Sequence, residues 1–243
     1  MNKSQFIQRV AAVIDESGQL AADGGQYFGA EVTNLDRHIE EGYVDAWRTC
    51  VNAQGAQRAW FKNCSFDDAE LHADLPQGTG FVVLPADFYL LTSFKMKGWV
   101  KPVFEATLVN DRALAVQSNE FTRGSRIRPS VMIDVENIES QDSTSVRDVM
   151  RYFSLPKGLS THEIEKAIYV PIPRPLTDPY YDTAIGGAYP DIELSQQVLE
   201  PVIYVTGSNV MTLLGKYPAA EALMNRAVSL FPGLINARGT VKQ

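Results

Sequence analysis

The chain has 243 residues, 45% of them apolar and 21% charged, enough hydrophobic material for one large globular domain or two small ones with a buried core. The 22 Lys and Arg against 29 Asp and Glu leave a net charge of −7, which argues against a surface-wide grip on nucleic acid, because that grip needs clustered cations. Two cysteines, Cys50 and Cys64, are too few for a disulfide framework and have no partner at metal-ligand spacing.

The first predicted element is an amphipathic helix over 4–16, with Phe6, Ile7, Val10, Val13 and Ile14 at helical spacing, Ser4 as N-cap and Gly18 as stop. It lacks the apolar centre of a signal peptide, and no apolar run in the chain approaches the roughly 20 residues that cross a bilayer. The expectation is a protein made in a cytoplasm, which leaves it only inside a particle. After a link through Gly24 and Gly25, a longer helix is predicted over 31–52. Its stripe is Val32, Leu35, Ile39, Tyr43, Ala46, Trp47 and Cys50, while Glu40, Glu41 and Asp45 lie off it.

From 57 to 173 the texture changes to short segments rich in Val, Ile, Phe and Tyr, broken by Gly and Pro. RAWFKN, GFVVLPADFYLLTSFKM, WVKPVFEATLV, RALAVQS, RPSVMIDVEN, VMRYFSLP and AIYVPIP all read as strands, with a turn over 85–89. STHEIEK reads as a helix start, with Ser160 as cap and Glu163 near the capping-box position. The run VPIPRPLTDPYYD then leads into a Pro-rich segment, 174–190, expected as an extended, semi-rigid arm. Helix returns over 191–214, where Pro201 and Gly207 are expected to kink or divide it, and over 217–231. A short polar tail follows.

This order predicts an α+β fold with segregated layers. Residues 1–56 and 191–243 form a helical bundle, 57–173 an inserted antiparallel β-domain and 174–190 the arm. No internal repeat is visible.

Chemistry is sparse. His38, His72 and His162 have no Cys, Asp or second His at ligand spacing, and no P-loop, GxSxG, HExxH or GxGxxG in the right context occurs. Asp67, Asp68 and Glu70 form an acidic cluster that reads as a solvated turn, and 133–142 reads as a strand ending in an acidic loop. The sequence therefore predicts no catalytic residues, no metal and no cofactor. Arg123, Arg126 and Arg128 in FTRGSRIRPS are the local positive patch, suited to DNA or to an acidic partner surface. Tyr180, Tyr181 and Tyr189 in the Pro-rich segment suit burial at an interface. These six residues are the interface candidates.

VVLPADFYLLTSFKMKGWVKPV, with Leu84, Pro85, Ala86, Asp87, Phe88, Gly98 and Trp99, is similar to a segment of head-tail adaptor and short tail-tube proteins of podovirus-like tailed bacteriophages. There, too, a strand leads to LPADF, a second strand and a Gly-Trp turn. ALAVQSNEFTRGSRIRPS and YFSLPKGLSTHEIEKAIYVPIP look like proteins of this type in crAss-like phages, and the flanking helices are similarly arranged. The likeness covers most of the chain by order and texture; the segment from Pro171 to Pro190 has no counterpart. It implies a non-enzymatic virion protein of the phage neck. Such a protein forms a ring of about twelve copies under the portal protein, closed by a heterologous interface. Its neighbours would be other neck or tail rings, double-stranded DNA would pass through its channel, and no membrane would be involved. Its place would be the virion, and the host cytoplasm during assembly. Three other readings stand beside this one: another tail or capsid accessory component, a cytoplasmic ligand-binding module lined by Trp60, Phe61, Trp99 and Phe104, and an enzyme with a scattered site.

Overall fold

A computed structural model describes residues 1–21, 34–54, 61–119, 122–139 and 144–234. Val32, Trp60, the Gly24–Gly25 link and the tail from 235 lie outside them. The chain divides into two compact units, residues 1–62 with 173–243, and residues 63–172. The fold is α+β, as the order of helical and strand-like segments predicts.

The first unit is helical. Helix α1 (Lys3–Ala21) buries Phe6, Val10, Val13 and Ile14. Its cap is Asn2 and not Ser4: Asn2 Oδ1 accepts from the Gln5 backbone N–H at 2.9 Å, and Gln5 Oε1 accepts from Asn2 N–H at 3.1 Å. That reciprocal pair is a capping box shifted two residues toward the terminus, and the helix continues past Gly18. Helix α2 (Leu35–Gln54) buries the predicted stripe from Leu35 to Cys50, as well as Val51.

Helix α4 (Gln196–Leu213) is a single helix that starts later than expected. Pro201 is buried in its second turn, where only one early backbone bond is given up. Gly207 serves packing and not a break. A Cβ there would lie 3.3 Å from Leu223 Cδ1 and 3.5 Å from Ile14 Cγ1, so the glycine is where α1 and α5 (Tyr217–Leu230) approach α4. Ala219 and Ala220 are buried, and Ser208 Oγ donates to the Ala220 carbonyl at 2.7 Å, tying α4 to α5.

Residues 174–190 fold onto this unit and do not run as an extended arm. Leu176 is fully buried. A 3₁₀ turn, Pro179–Asp182, is capped by Asp178, whose carboxylate accepts from Tyr180 N–H at 2.8 Å. Gly186 and Gly187 take φ of 63° and 86° and close a tight turn between Ile185 and Ala188. Lys3 holds the segment electrostatically, reaching Glu40 at 2.9 Å and Asp182 at 3.0 Å.

The second unit holds two sheets around a shared core. One has the order β2-β3-β7-β6-β5, built from Leu71–Asp74, Thr79–Val83, Thr144–Tyr152, Val131–Glu139 and Thr107–Leu108. The other has the order β1-β8-β4, built from Cys64–Ser65, Ile164–Pro171 and Phe88–Met96. All pairings are antiparallel except the short β5–β6 pair. Phe66, Phe94, Met96, Trp99, Val131, Met150 and Tyr152 belong to the core.

Three local expectations are corrected. RALAVQS is helix α3 (Asp111–Ser118), because Asn110 Oδ1 accepts from the Ala113 N–H at 2.8 Å and caps a helix start. WVKPVF makes no strand: Val103 exchanges one pair of backbone bonds with Phe94, both at 2.8 Å, and Pro102 lacks the N–H to extend the ladder. STHEIEK is extended and feeds β8. The RAWFKN segment is described only from Phe61, which is not in a strand.

Candidate functional site

The turn over 84–87 carries the chain from β3 in one sheet to β4 in the other. Phe88 N–H donates to the Pro85 carbonyl at 3.0 Å, closing the turn. Asp87 then fastens it to β8: its carbonyl accepts from Ile172 N–H at 2.7 Å and its carboxylate from the Tyr169 hydroxyl at 2.7 Å. Burial, and then the adjacent Asp87, raises the Tyr169 pKa above its ordinary value. Gly98 has a φ of 99°, and Trp99 beside it packs edge-on against Phe94 at 5.7 Å. LPADF and Gly-Trp are thus the two corners of β4.

The arginine cluster lies at the base of the β6–β7 hairpin. Arg123, Arg126 and Arg128 line one cleft of about 770 Å³, together with Gln117, Ser125 and Ser154. The loop carrying them is held from several sides. Gln117 Oε1 accepts from Gly124 N–H at 2.9 Å, and Ser154 Oγ accepts from Ser130 N–H at 3.0 Å. Ser125 and Arg128 close a turn through Ser125 N–H to the Arg128 carbonyl at 3.0 Å. Arg123 reaches the Gln77 carbonyl at 3.2 Å. A Cβ at Gly124 would collide with Ser154 Oγ, so only glycine lets the loop lie against the segment that follows β7. Among the described residues no carboxylate lines the cleft.

The tyrosines do not form a site. Tyr181 is 5% exposed and is core of the helical unit, so it is withdrawn from the interface candidates. Tyr180 and Tyr189 are exposed, and the Arg174 guanidinium sits 4.3 Å over the Tyr180 ring.

The histidines stand apart. His72 pairs with Glu70 at 2.8 Å and stacks on Phe81. His38 is half-buried on α2. His162 is buried, its Nδ1 sharing a 2.6 Å hydrogen bond with the Tyr152 hydroxyl while Nε2 has no partner among the described residues, and burial lowers its pKa despite the opposing field of Asp74. The acidic groups serve structure. Asp67 accepts from the Ala167 N–H, and Asp134 and Glu136 both pair with Arg151, Asp134 at 2.5 Å. Burial alone would raise the Asp134 pKa, but hydrogen bonds from Arg151 and Val135 N–H together hold it below the usual carboxylate range. Burial pushes the Cys50 thiol up to about 12. Among the described residues no group of three or more His, Cys, Asp or Glu could hold a metal ion. Of the four aromatics weighed as a pocket lining, Phe61 packs on Trp47 in the helical unit and Trp99 is core of the β unit. Among the described residues no helix is long and apolar enough to cross a membrane.

The arginines were legible as a cluster. Gln117, Ser130 and Ser154, which build the cleft around them, were not, because they come from α3 and from the two ends of a hairpin. The one signal in the sequence is the glycine inside FTRGSRIRPS. No protein-family model and no curated protein matches the chain.

Proposed function

We propose that the chain is a structural, non-enzymatic virion protein that forms a ring in the neck of a tailed phage. In this reading it joins the portal to the tail and lines the channel through which DNA is retained and ejected. One observation carries it. The segment similar to head-tail adaptors, LPADF to Gly-Trp, is the same segment that turns the β unit from one sheet to the other, with Asp87 clasping Tyr169 and Ile172. The likeness therefore falls on a fold-defining element and not on a variable surface loop. Two further features support the reading. A net charge of −7 keeps DNA from adhering to a channel wall. The β unit also exposes Val100, Phe104, Ile127 and Leu108, the last 73% accessible, and exposed apolar side chains are the material of docking surfaces.

The test is to mix the purified chain with a portal protein from the same source. Negative-stain images should show an added ring on the portal, and the melting temperature of the chain should rise with portal, since a partner that binds only the folded state stabilises it. A chain that stays monomeric at high concentration and neither decorates portal nor gains stability from it overturns the proposal.

A further inference from the structure

We propose that the cleft at the base of the β6–β7 hairpin is a docking site for an acidic segment of a partner protein, one that offers two or more carboxylates beside an apolar side chain. Three observations lead there. First, Arg123, Arg126 and Arg128 converge on one concavity, and among the described residues none of them faces a carboxylate. Among the other described arginines, Arg9, Arg37, Arg48, Arg151 and Arg174 each sit within 4.0 Å of an Asp or Glu, while Arg112, Arg147 and Arg226 do not, so what sets the three apart is their convergence on one concavity. A guanidinium presents a planar fork that matches a carboxylate, and three of them left unneutralised in a concave surface create a strongly attractive field for anions.

Second, the site is built before anything binds. The hydrogen bonds from Gly124, Ser130 and Arg128 fix the loop, and Gly124 lies against Ser154 with no room for a side chain. A preformed site loses little entropy on binding. Its volume of about 770 Å³ is that of a pocket for a few side chains.

Third, a few apolar groups form a rim beside a mainly polar lining. Leu155 and Pro156 are part of the wall; outside the lining, Ile127 is 59% exposed between Arg126 and Arg128 in the chain, and exposed Val100 is tied to the loop by its N–H to the Arg126 carbonyl at 2.8 Å. A phosphate backbone has nothing to place against that rim, and the net charge of −7 opposes it over the rest of the surface. A peptide that alternates acidic and aliphatic residues satisfies both the arginines and the rim.

The proposal does not depend on the connector reading, because its test needs no phage component. The full chain is titrated against a fluorescein-labelled peptide of sequence Glu-Leu-Glu-Glu-Leu-Glu at low salt, with fluorescence anisotropy as readout. Saturable binding is expected, weakened about tenfold by Arg126→Gln and by Arg128→Gln, since charge-assisted hydrogen bonds are the stronger class. Lys166→Gln removes an equal charge from an exposed position on β8 and should cost under about twofold. Replacing the peptide's glutamates with serine should abolish binding. Circular dichroism melts of each variant confirm that the exposed substitutions leave the fold intact. Equal weakening by Lys166→Gln, absence of saturable binding, or tighter binding of duplex DNA with a steep salt dependence would each overturn the proposal.

Discussion

The two units satisfy their buried polar groups in different ways. In the helical unit the helices pair most of their own backbone groups, and side chains such as Asn2 and Asp178 serve the backbone at caps. Two of its buried hydroxyls bond helix carbonyls, Thr206 to Val202 in its own helix and Ser208 to Ala220 in the next, both at 2.7 Å, while the buried Tyr43 hydroxyl finds no partner among the described residues, and the rest of its core is a matter of shape. In the β unit, short strands and long turns leave backbone groups that only side chains from distant positions can pair. Asp67 serves Ala167, Ser154 serves Ser130, Asp87 holds Tyr169, and Tyr152 holds His162. The helical unit is therefore sensitive to volume, and the β unit to volume, hydrogen bonding and pH.

Alanine at two glycines sets this contrast most sharply. In Gly80→Ala the new methyl collides with the His72 carbonyl and the Tyr152 ring, both on neighbouring strands. The backbone must shift, and urea denaturation should show a loss of about 1–3 kcal/mol. In Gly207→Ala the nearest atom is the flexible end of Leu223, at 3.3 Å. The gain of up to about 1 kcal/mol in helix propensity offsets that squeeze, and stability should change little. Comparable losses at both sites would break the contrast.

Polar latches come next. Asp87→Ala leaves the Tyr169 hydroxyl without its acceptor and should cost about 1–2 kcal/mol, with hydrogen exchange accelerating at the β4 and β8 amides. Asn2→Ala in the helical unit removes a cap and should cost about 1 kcal/mol, spread over the first turn of α1 alone. A global effect of Asn2→Ala, or a strictly local one of Asp87→Ala, would assign the cooperative elements to the wrong unit.

The smallest effect is the dependence on pH. His162 titrates below its ordinary 6.5 because it is buried, so the unfolded chain binds its proton more readily than the folded one. Its contribution is fully present above pH 6.5 and is lost as pH falls from there toward the depressed folded value. Denaturation midpoints should drop across that window, and His162→Phe should remove that part of the slope. An unchanged slope in His162→Phe would place the acid sensitivity elsewhere. The Asp134–Arg151 pair adds a separate loss at lower pH: the Asp134 pKa is depressed, so its stabilisation persists above the unfolded carboxylate value and disappears as pH falls through the folded one.

The sequence by itself determined the α+β class, the core faces of the long helices and the turn at LPADF. A stripe such as Ile39, Tyr43, Ala46, Trp47 and Cys50 can be buried in only one way, and a proline between two β-rich runs ends one strand and starts another. It determined less where local and distant bonds compete. RALAVQS alternates like a strand, yet Asn110 caps it as a helix; STHEIEK is spelled like a capped helix, yet it is extended, with His162 buried against Tyr152. The Pro-rich segment was read as an arm because proline stiffens a chain locally, while Leu176, Tyr181 and Lys3 draw it onto the helical unit. The cleft was decided by tertiary structure alone. Its arginines lie within six positions of one another in the sequence, but the glutamine and serines that frame them come from α3 and from opposite ends of a hairpin, and strand pairing is a long-range choice that no local pattern encodes.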